Sequence, residues 1–384
     1  MKRAESILIC LLFAGLLLAP ALAWLSGMRA SEFENRTLAE LPAFAPASLA
    51  SSSYYSELSS WMEDHLSLRH QAVHLNARIA LEILDDSPDP QVWLGRGQWL
   101  FLDDGLRMAC SGDAPADALL SAVARVGQML HESGRELRWM IVPNKIALYP
   151  EYATGRVLRA ATCGEARRAD LFATMQRRTP AGFINLHAAF GAAKQRYDHP
   201  LYFADDSHIT EFGSGLLLQQ LVVSLQPGIW DSRSMRQGRN TQRSGDLARM
   251  LVARGSIEVE TWAVIRPGVG PGPTTTRELA TGVNRREFTT TGPDSMLITQ
   301  PAFILHDSQF NTAMAMTRTC FARSTFIPWK GFEAQRIARE MAAAQIVVIE
   351  VIERDFYWRI AGQLGSGEFI AALERELGAG RAAD

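Results

Sequence analysis

Apolar positions along this chain change their spacing several times, and each change marks an element. Residues 7–25 are apolar throughout and carry no charge. From 54 to 84 the spacing is helical: Leu58, Trp61, Met62, His65 and Leu66 recur on one face, as do Leu75, Ile79 and Ile83. A turn with two prolines, 86–90, leads to two aromatic-rich runs around Gly95-Arg96-Gly97, the pattern of a hairpin. A strand–helix rhythm follows. Helices are expected at 116–133, 166–177, 188–196 and 210–225, the last with Thr210 as its N-cap, and buried strands at 137–142 and 182–186. The rhythm stops at about 230–300, where only 257–265 reads as a strand and 266–291 is rich in Gly, Pro and Thr. It resumes with a strand at 302–305, a helix at 331–341, a strand at 346–352 and a last helix at 368–377. Alternation of this kind predicts an α/β fold, a mostly parallel sheet with helices on both faces.

Three segments are expected: 1–25, a signal-anchor or signal peptide; 26–85, a leader and N-terminal helices; and 86–384, one α/β domain interrupted near its active site by a long, partly mobile insertion at about 230–300. Lys2 and Arg3 precede the apolar run, whose 19 residues would span roughly 28 Å as a helix, close to a bilayer core. Basic residues at the start leave the amino end in the cytoplasm and export the rest. Ala21-Leu22-Ala23 also reads as a cleavage site, but the length of the run favours a retained anchor.

Composition then narrows the function. Apolar residues make up 47% and charged residues 21%, so there is ample material for a core. A net charge of -2 and the lack of a long basic run argue against nucleic acid as a partner. Of four cysteines, Cys110 and Cys163 sit in polar, loop-like surroundings, where export would allow either a disulfide or two thiols; Cys320 has the neighbours of a buried thiol. No Cys or His spacing resembles a zinc site, and no cofactor is implied.

Candidate chemistry lies in two short segments. Asp206-Ser207-His208 and His306-Asp307-Ser308 each follow an apolar run. A serine hydroxyl needs a neighbouring imidazole to take its proton, and a carboxylate two residues before that imidazole can orient it. Ser308 is the candidate nucleophile, at a strand end where ligands of open α/β sheets bind; alone, it would read as a helix cap. His208 is the candidate base and Asp206 its orienter, with Asp205 as the rival. His306 stands where strand geometry points it away, and Asp307 reads as structural. Lys145, Tyr149 and Arg354 follow strand ends and could line a cleft, Arg354 by binding a sugar carboxylate, although a structural role has the better claim for each. Trp93, Trp99 and Phe101 could stack on sugars but read first as core.

A wider set of motifs occurs in a fixed order: Glu34-Asn35-Arg36, Trp61 with Asp64-His65, Trp93 through Phe101, Pro143-Asn144-Lys145 with Tyr149-Pro150-Glu151, Asp206-Ser207-His208, Gly245-Asp246-Leu247 and His306-Asp307-Ser308. This set resembles the SGNH-type polysaccharide O-acetyltransferases of the alginate AlgJ/AlgX group, in which the Asp-x-His pair likewise precedes the serine. The resemblance implies an SGNH-hydrolase-like α/β/α sandwich, a periplasmic protein attached to the inner membrane, and acetyl transfer to hydroxyls of an exported, alginate-like polysaccharide. Its implied partners are the polysaccharide acceptor and a membrane-embedded protein that delivers acetyl groups. The chain departs from the group's pattern at His306, where the group has glycine, and at Ile209, where it often has an aromatic residue. A periplasmic carbohydrate esterase using the same residues, or a non-catalytic glycan-binding component of a polymer-export complex, are the alternatives.

Overall fold

The structure is a computed structural model that describes residues 2–28, 39–65, 69–252 and 255–381. Glu34-Asn35-Arg36 and Leu66 lie outside the described residues. The chain divides into two compact units, Met1–Pro90 with Ala248–Gly255, and Gln91–Leu247 with Ser256–Asp384.

The first unit holds helices Lys2–Leu25, Ser52–Asp64 and Arg69–Arg78, the last running into a wider turn at Ile79–Ile83. Ile7, Leu8, Leu11, Phe13 and Leu17 are exposed. Among the described residues no helix is long and apolar enough to cross a membrane. The motif residues of this unit have local tasks. Buried Asp64 accepts from Ala39 N at 2.9 Å, and His65 donates from Nδ1 to Trp61 O at 2.9 Å while its ring stacks on Trp61.

In the second unit the strands, in chain order, are β1 (Val92–Leu94), β2 (Leu100–Leu102), β3 (Glu136–Val142), β4 (Phe183–Ile184), β5 (Met235–Gln237), β6 (Thr241–Arg243), β7 (Ile257–Val259), β8 (Trp262–Val264), β9 (Gly270–Glu278), β10 (Asn284–Thr291), β11 (Ala302–His306), β12 (Arg323–Pro328) and β13 (Ile346–Ile352). The main sheet runs β4-β3-β13-β11-β12-β10-β9, parallel from β4 to β12 and antiparallel thereafter. It is an α/β sandwich, as the alternating pattern predicts. Leu137, Trp139, Ile141, Phe303, Leu305, Val347 and Ile349 face one apolar layer, which includes helices Ala116–Glu132, Ala334–Ala343 and Gly367–Arg381. The alternate residues Met140, Val142, Ile304, Val348 and Ile352 face the other, built on helices Leu186–Arg196, Glu211–Leu225 and Phe310–Thr317. Because both faces are covered, these strands are near-continuous apolar runs rather than alternating ones. Each large side chain so buried contributes roughly 1.5–3 kcal/mol.

Two regions differ from expectation. The 230–300 stretch is not irregular: β9 and β10 form a hairpin that extends the main sheet through β12, with β-branched Thr274, Thr275 and Thr276 paired opposite Phe288, Glu287 and Arg286. Gly282, at φ +73°, makes its turn. The single strand expected over 257–265 is broken at Glu260 and Thr261, whose side chains bond the His199 and Trp262 rings and Arg239 O; its halves, β7 and β8, pair with β6 and β5. The helix expected at 166–177 begins earlier, at Gly155, under a Thr154 cap. A disulfide joins its Cys163 to Cys110 at the end of the turn Met108–Cys110, while Cys320 is a buried free thiol.

The sheet order places the candidate nucleophile. From β11 the chain crosses to β12 on one side and then to β13 on the other. The carboxyl end of β11 is therefore a topological switch point, where the flanking connections diverge and leave a crevice.

Candidate active site

Ser308 is exposed at that end of β11. Its turn is held from below. The Asp307 carboxylate accepts from Gln309 N at 2.8 Å and from Ile352 N on β13, and Asp307 N donates to Glu350 Oε2 at 2.8 Å. Asp307 is thus structural, as its type and position suggest. Glu350, buried in the middle of β13, is pushed well above the usual carboxyl range, first by burial and then by the Asp307 charge. His306 is also buried. It donates from Nδ1 to Asp307 O at 2.7 Å, and burial lowers its pKa to about 4. A neutral imidazole already spent on its own turn is a poor candidate for the base.

The second segment is a loop closed by the Tyr202–Ile209 bridge and by Thr210 N donating to Leu201 O at 2.9 Å. Thr210 caps the following helix through Gly213 N, at 3.0 Å. Inside the loop, His208 Nδ1 lies 2.7 Å from Asp206 Oδ1, which also accepts from His208 N at 2.9 Å. Asp206 therefore holds the imidazole. Asp205 instead accepts from Gly245 N at 2.7 Å, which removes it as the rival. With Nδ1–H directed at Asp206, the proton-accepting nitrogen left over is Nε2.

Asp246 is a second carboxylate on this imidazole, to which the sequence reading assigned no role. Its Oδ2 lies 3.4 Å from His208 Nδ1 and accepts from Ser207 Oγ at 2.5 Å, and its Oδ1 accepts from Ser207 N at 2.7 Å. Asp246 N in turn donates to Asp206 Oδ2 at 3.0 Å, where Arg243 also donates at 2.7 Å. Burial alone would lower the His208 pKa, but the bonds to Asp206 and Asp246 outweigh it and raise the value to about 9. For Asp246, burial works upward, but the bonds to His208 and Ser207 hold it well below the usual carboxylate range. The glycine of Gly245-Asp246-Leu247 has a physical reason: a Cβ there would come within 2.1 Å of Asp205 O, so only glycine lets the two loops meet.

Asp206, His208 and Asp246 offer ligand atoms within 4.8 Å of one another. Those atoms are already bonded to each other, to Ser207 and to Arg243, so the group reads as a charge-oriented imidazole rather than a ligand shell.

Gln309 joins the two segments across the sheet. Its amide oxygen accepts from Ile209 N at 2.9 Å and its Nε2 donates to Ser207 O at 3.1 Å. The residue after the candidate nucleophile thereby clamps the residues flanking the candidate base. Among the described residues the Ser308 hydroxyl makes no hydrogen bond of its own.

Lys145 supports the loop from beneath. Its Nζ donates to Leu100 O and Ala204 O at 2.7 Å each and to Asp206 O at 3.0 Å, and it lies over the Trp99 and Phe101 rings. Burial pushes its pKa down to about 7 against the pull of Asp206, Asp246 and Asp205. Tyr149 is buried, with its hydroxyl accepting from Leu201 N at 2.8 Å. Both act as structure, as does Phe101, which is core; Trp93 is half-buried and bonds Asp103 at 2.7 Å. Arg354 is not at the surface: its side chain is 13% exposed and lies 3.9 Å from Asp355. Trp99 is half-buried and stacks on Tyr152; with Phe203, Phe212, Trp262 and Glu258 it lines a cleft of about 260 Å³. Phe203 connects that cleft to the loop, since the Arg243 guanidinium that bonds Asp206 lies 3.9 Å over its ring.

Residues 92–263 match the family described as "SGNH hydrolase-like domain, acetyltransferase AlgX". The chain is 26% identical over 170 residues to the probable alginate O-acetylase AlgJ of Pseudomonas syringae pv. tomato, a stretch that covers 42% of this chain and 40% of that relative. The chain thus spans about two-fifths of the length of this curated relative. Among solved structures it is similar to the O-acetyltransferase domain of Pseudomonas putida AlgJ (21% identity, 75% of this chain and 99% of that one, TM-score 0.47) and to Bacillus cereus PatB1 with a sulfonyl adduct (12%, 72% and 99%, TM-score 0.50). The match to PatB1 concerns the fold alone. The family match takes in Asp206, His208 and Asp246; Ser308 lies beyond it.

Proposed function

We propose that this chain is an O-acetyltransferase that moves acetyl groups from a carrier to hydroxyls of an exported polysaccharide through an acetyl-Ser308 intermediate. The observation that carries this reading is the Gln309 clamp, which ties the Asp206–His208 pair to the turn bearing Ser308 within an AlgX-type domain. In the first step Ser308 Oγ attacks the acetyl carbonyl carbon and His208 Nε2 takes the hydroxyl proton. The carrier's oxygen or sulfur leaves with that proton. In the second step a sugar hydroxyl gives its proton to His208 and attacks the acetyl-serine, which restores Ser308. Asp206 and Asp246 stabilise the imidazolium formed in each step. The cleft of Trp99, Phe203, Phe212 and Trp262 offers aromatic faces of the kind that pack on sugar rings.

The relatives' alginate acetylation makes an alginate-like polymer the first acceptor to try. The apolar run 7–25 behind Lys2 and Arg3 in the sequence supports attachment to the inner membrane with the rest in the periplasm. There, acetyl groups would have to come from a membrane-embedded partner.

The test is acetyl transfer by the purified chain from a labelled acetyl ester to an oligosaccharide, compared with Ser308→Ala. Label on the sugar that disappears with Ser308→Ala supports the reading. Free acetate alone would make the protein an esterase. Acetylation of the polymer in cells that is unchanged by Ser308→Ala would leave a glycan-binding role.

A further inference from the structure

The cleft of about 260 Å³ shares a wall with the loop that carries the candidate base. Tyr202, Phe203, Ala204 and Thr210 of that loop line it, and Phe203 N donates to His208 O at 3.3 Å. Phe203 is also tied to the orienting carboxylate, since the Arg243 guanidinium over its ring bonds Asp206. Half-buried Trp99 and Trp262 leave part of their rings to the space. Its volume falls just below the range of about 300–1,000 Å³ that holds drug-sized ligands, which suits one sugar ring against aromatic faces.

Charge narrows which ring. Among the described residues, Glu258 on β7 and Glu260 in the break after it are the charged side chains of the lining. Glu211 adds a third carboxylate nearby, accepting from Trp262 N. The neighbouring cations are committed elsewhere. Arg243 bonds Asp206 at 2.7 Å, Lys145 gives its three protons to backbone carbonyls, and His199 stands 2.9 Å from Glu260 Oε2.

Hydrogen bonding points the same way. Three of the lining's side-chain donors are already spent. Tyr202 Oη donates to Pro143 O at 2.8 Å, Thr210 Oγ1 to Pro200 O at 2.6 Å and Trp262 Nε1 to Glu260 Oε2 at 3.0 Å. Glu258 is exposed and its Oε1 accepts from Asn240 Nδ2 at 3.0 Å, so its other oxygen can accept from a ligand. A sugar hydroxyl has the donor that such an oxygen needs, whereas an ionised carboxylate has none.

From this we propose that the cleft seats one uncharged sugar ring of the polymer that is acetylated, and turns uronates away. The inference rests on the acetyl-transfer reading above and deepens it, for it assigns the acceptor a ring without the carboxylates of an alginate-type polymer. A hexose and its uronate differ only at C6, where a hydroxymethyl group gives way to a carboxylate. In this cleft that carboxylate meets like charges with no cation in the lining to offset them. One such pair near 4 Å in water costs about fivefold in affinity.

The probes are the methyl β-glycosides of glucose, mannose and galactose, each paired with its uronate, titrated into the whole protein by saturation-transfer NMR. The expected result is tighter binding of the uncharged member, by about fivefold or more in about 10 mM salt. The gap should close toward about 1 M, as the screening length falls from about 30 to about 3 Å. Glu258→Gln should narrow the gap at low salt and Trp262→Ala should weaken both members of a pair, with the Tm of each variant measured. Uronates bound as well as their hexoses or better, binding untouched by Trp262→Ala in a folded variant, or no binding of any glycoside would each overturn the inference. Acetyl transfer from 4-nitrophenyl acetate to the bound glycoside is followed alongside. If uncharged rings bind as expected but no acetyl ester is processed, the acetyl-transfer reading alone fails, which keeps the two failures distinct.

Discussion

Replacing Asp246 by Asn tests the charge arrangement around the base most directly. Two carboxylates face His208 Nδ1, Asp206 at 2.7 Å and Asp246 at 3.4 Å, and with them the pKa rises from 6.5 to about 9. That rise amounts to roughly 3 kcal/mol of preference for the imidazolium. At neutral pH the resting base is therefore mostly protonated, and only its neutral fraction can accept the Ser308 proton. Asp246→Asn removes one charge. Since Ser207 N holds Oδ1, the amide nitrogen falls at the Oδ2 position and turns a donor toward Nδ1–H. Removing a charge at this distance, partly screened by solvent, lowers the His208 pKa by about one unit. The acid limb of kcat/KM should move down by that amount, from about 9. Near pH 7 the variant then holds about ten times more neutral imidazole, so its rate there should equal or exceed that of the parent. Asp206→Asn should instead cost about 10³–10⁴-fold on the pH plateau, because the orienting acceptor is lost. Hydrolysis of 4-nitrophenyl acetate from pH 6 to 10, with an NMR titration of His208, measures both. An Asp246→Asn limb that stays in place or moves upward would refute this account of the site.

Stability should carry the same signature. The His208 pKa is raised on folding, so its contribution is fully present below about 6.5, the unfolded value, and is lost as pH rises through about 9; thermal unfolding of the parent minus His208→Gln should fall across that window. Gly245→Ala places a Cβ 2.1 Å from Asp205 O, so the loop bearing Asp246 must withdraw; a lowered Tm and an acid limb displaced in the same direction as for Asp246→Asn are expected. Lys145→Met leaves three carbonyls without their donor; at about 1–3 kcal/mol for each buried acceptor, the midpoint of urea unfolding should drop sharply. Cys110→Ser opens a bridge between residues 53 apart in sequence; chain entropy sets its worth at about 4 kcal/mol, and a reductant should lower the Tm of the parent but not of the variant.

Much of the framework was legible in the chain. The period-2 and period-3.6 patterns fix strands and helices because side-chain direction follows backbone geometry, and an unbroken run such as 346–352 signals a strand covered on both faces. β13 spans Ile346–Ile352 as expected. The Asp206–His208 contact was also legible, since two residues of separation in a tight loop suffice for it. The 266–291 stretch was misread because Gly and Pro obscured a hairpin held by pairing with β12, a long-range contact.

Sequence by itself determined which groups could do chemistry and four of the main sheet's seven strands, β3, β4, β11 and β13, for both are set by side-chain type and local spacing. What only the tertiary structure decided was proximity. Asp246 reaches His208 because Gly245 lets one loop pass against another, and Gln309 meets Ile209 from 100 positions away. Arg354 N meets Asn144 Oδ1 because β13 is laid beside β3, out of chain order. No periodicity encodes these meetings, since they follow from the packing of whole layers, and the raised pKa of His208 exists only once that packing is complete.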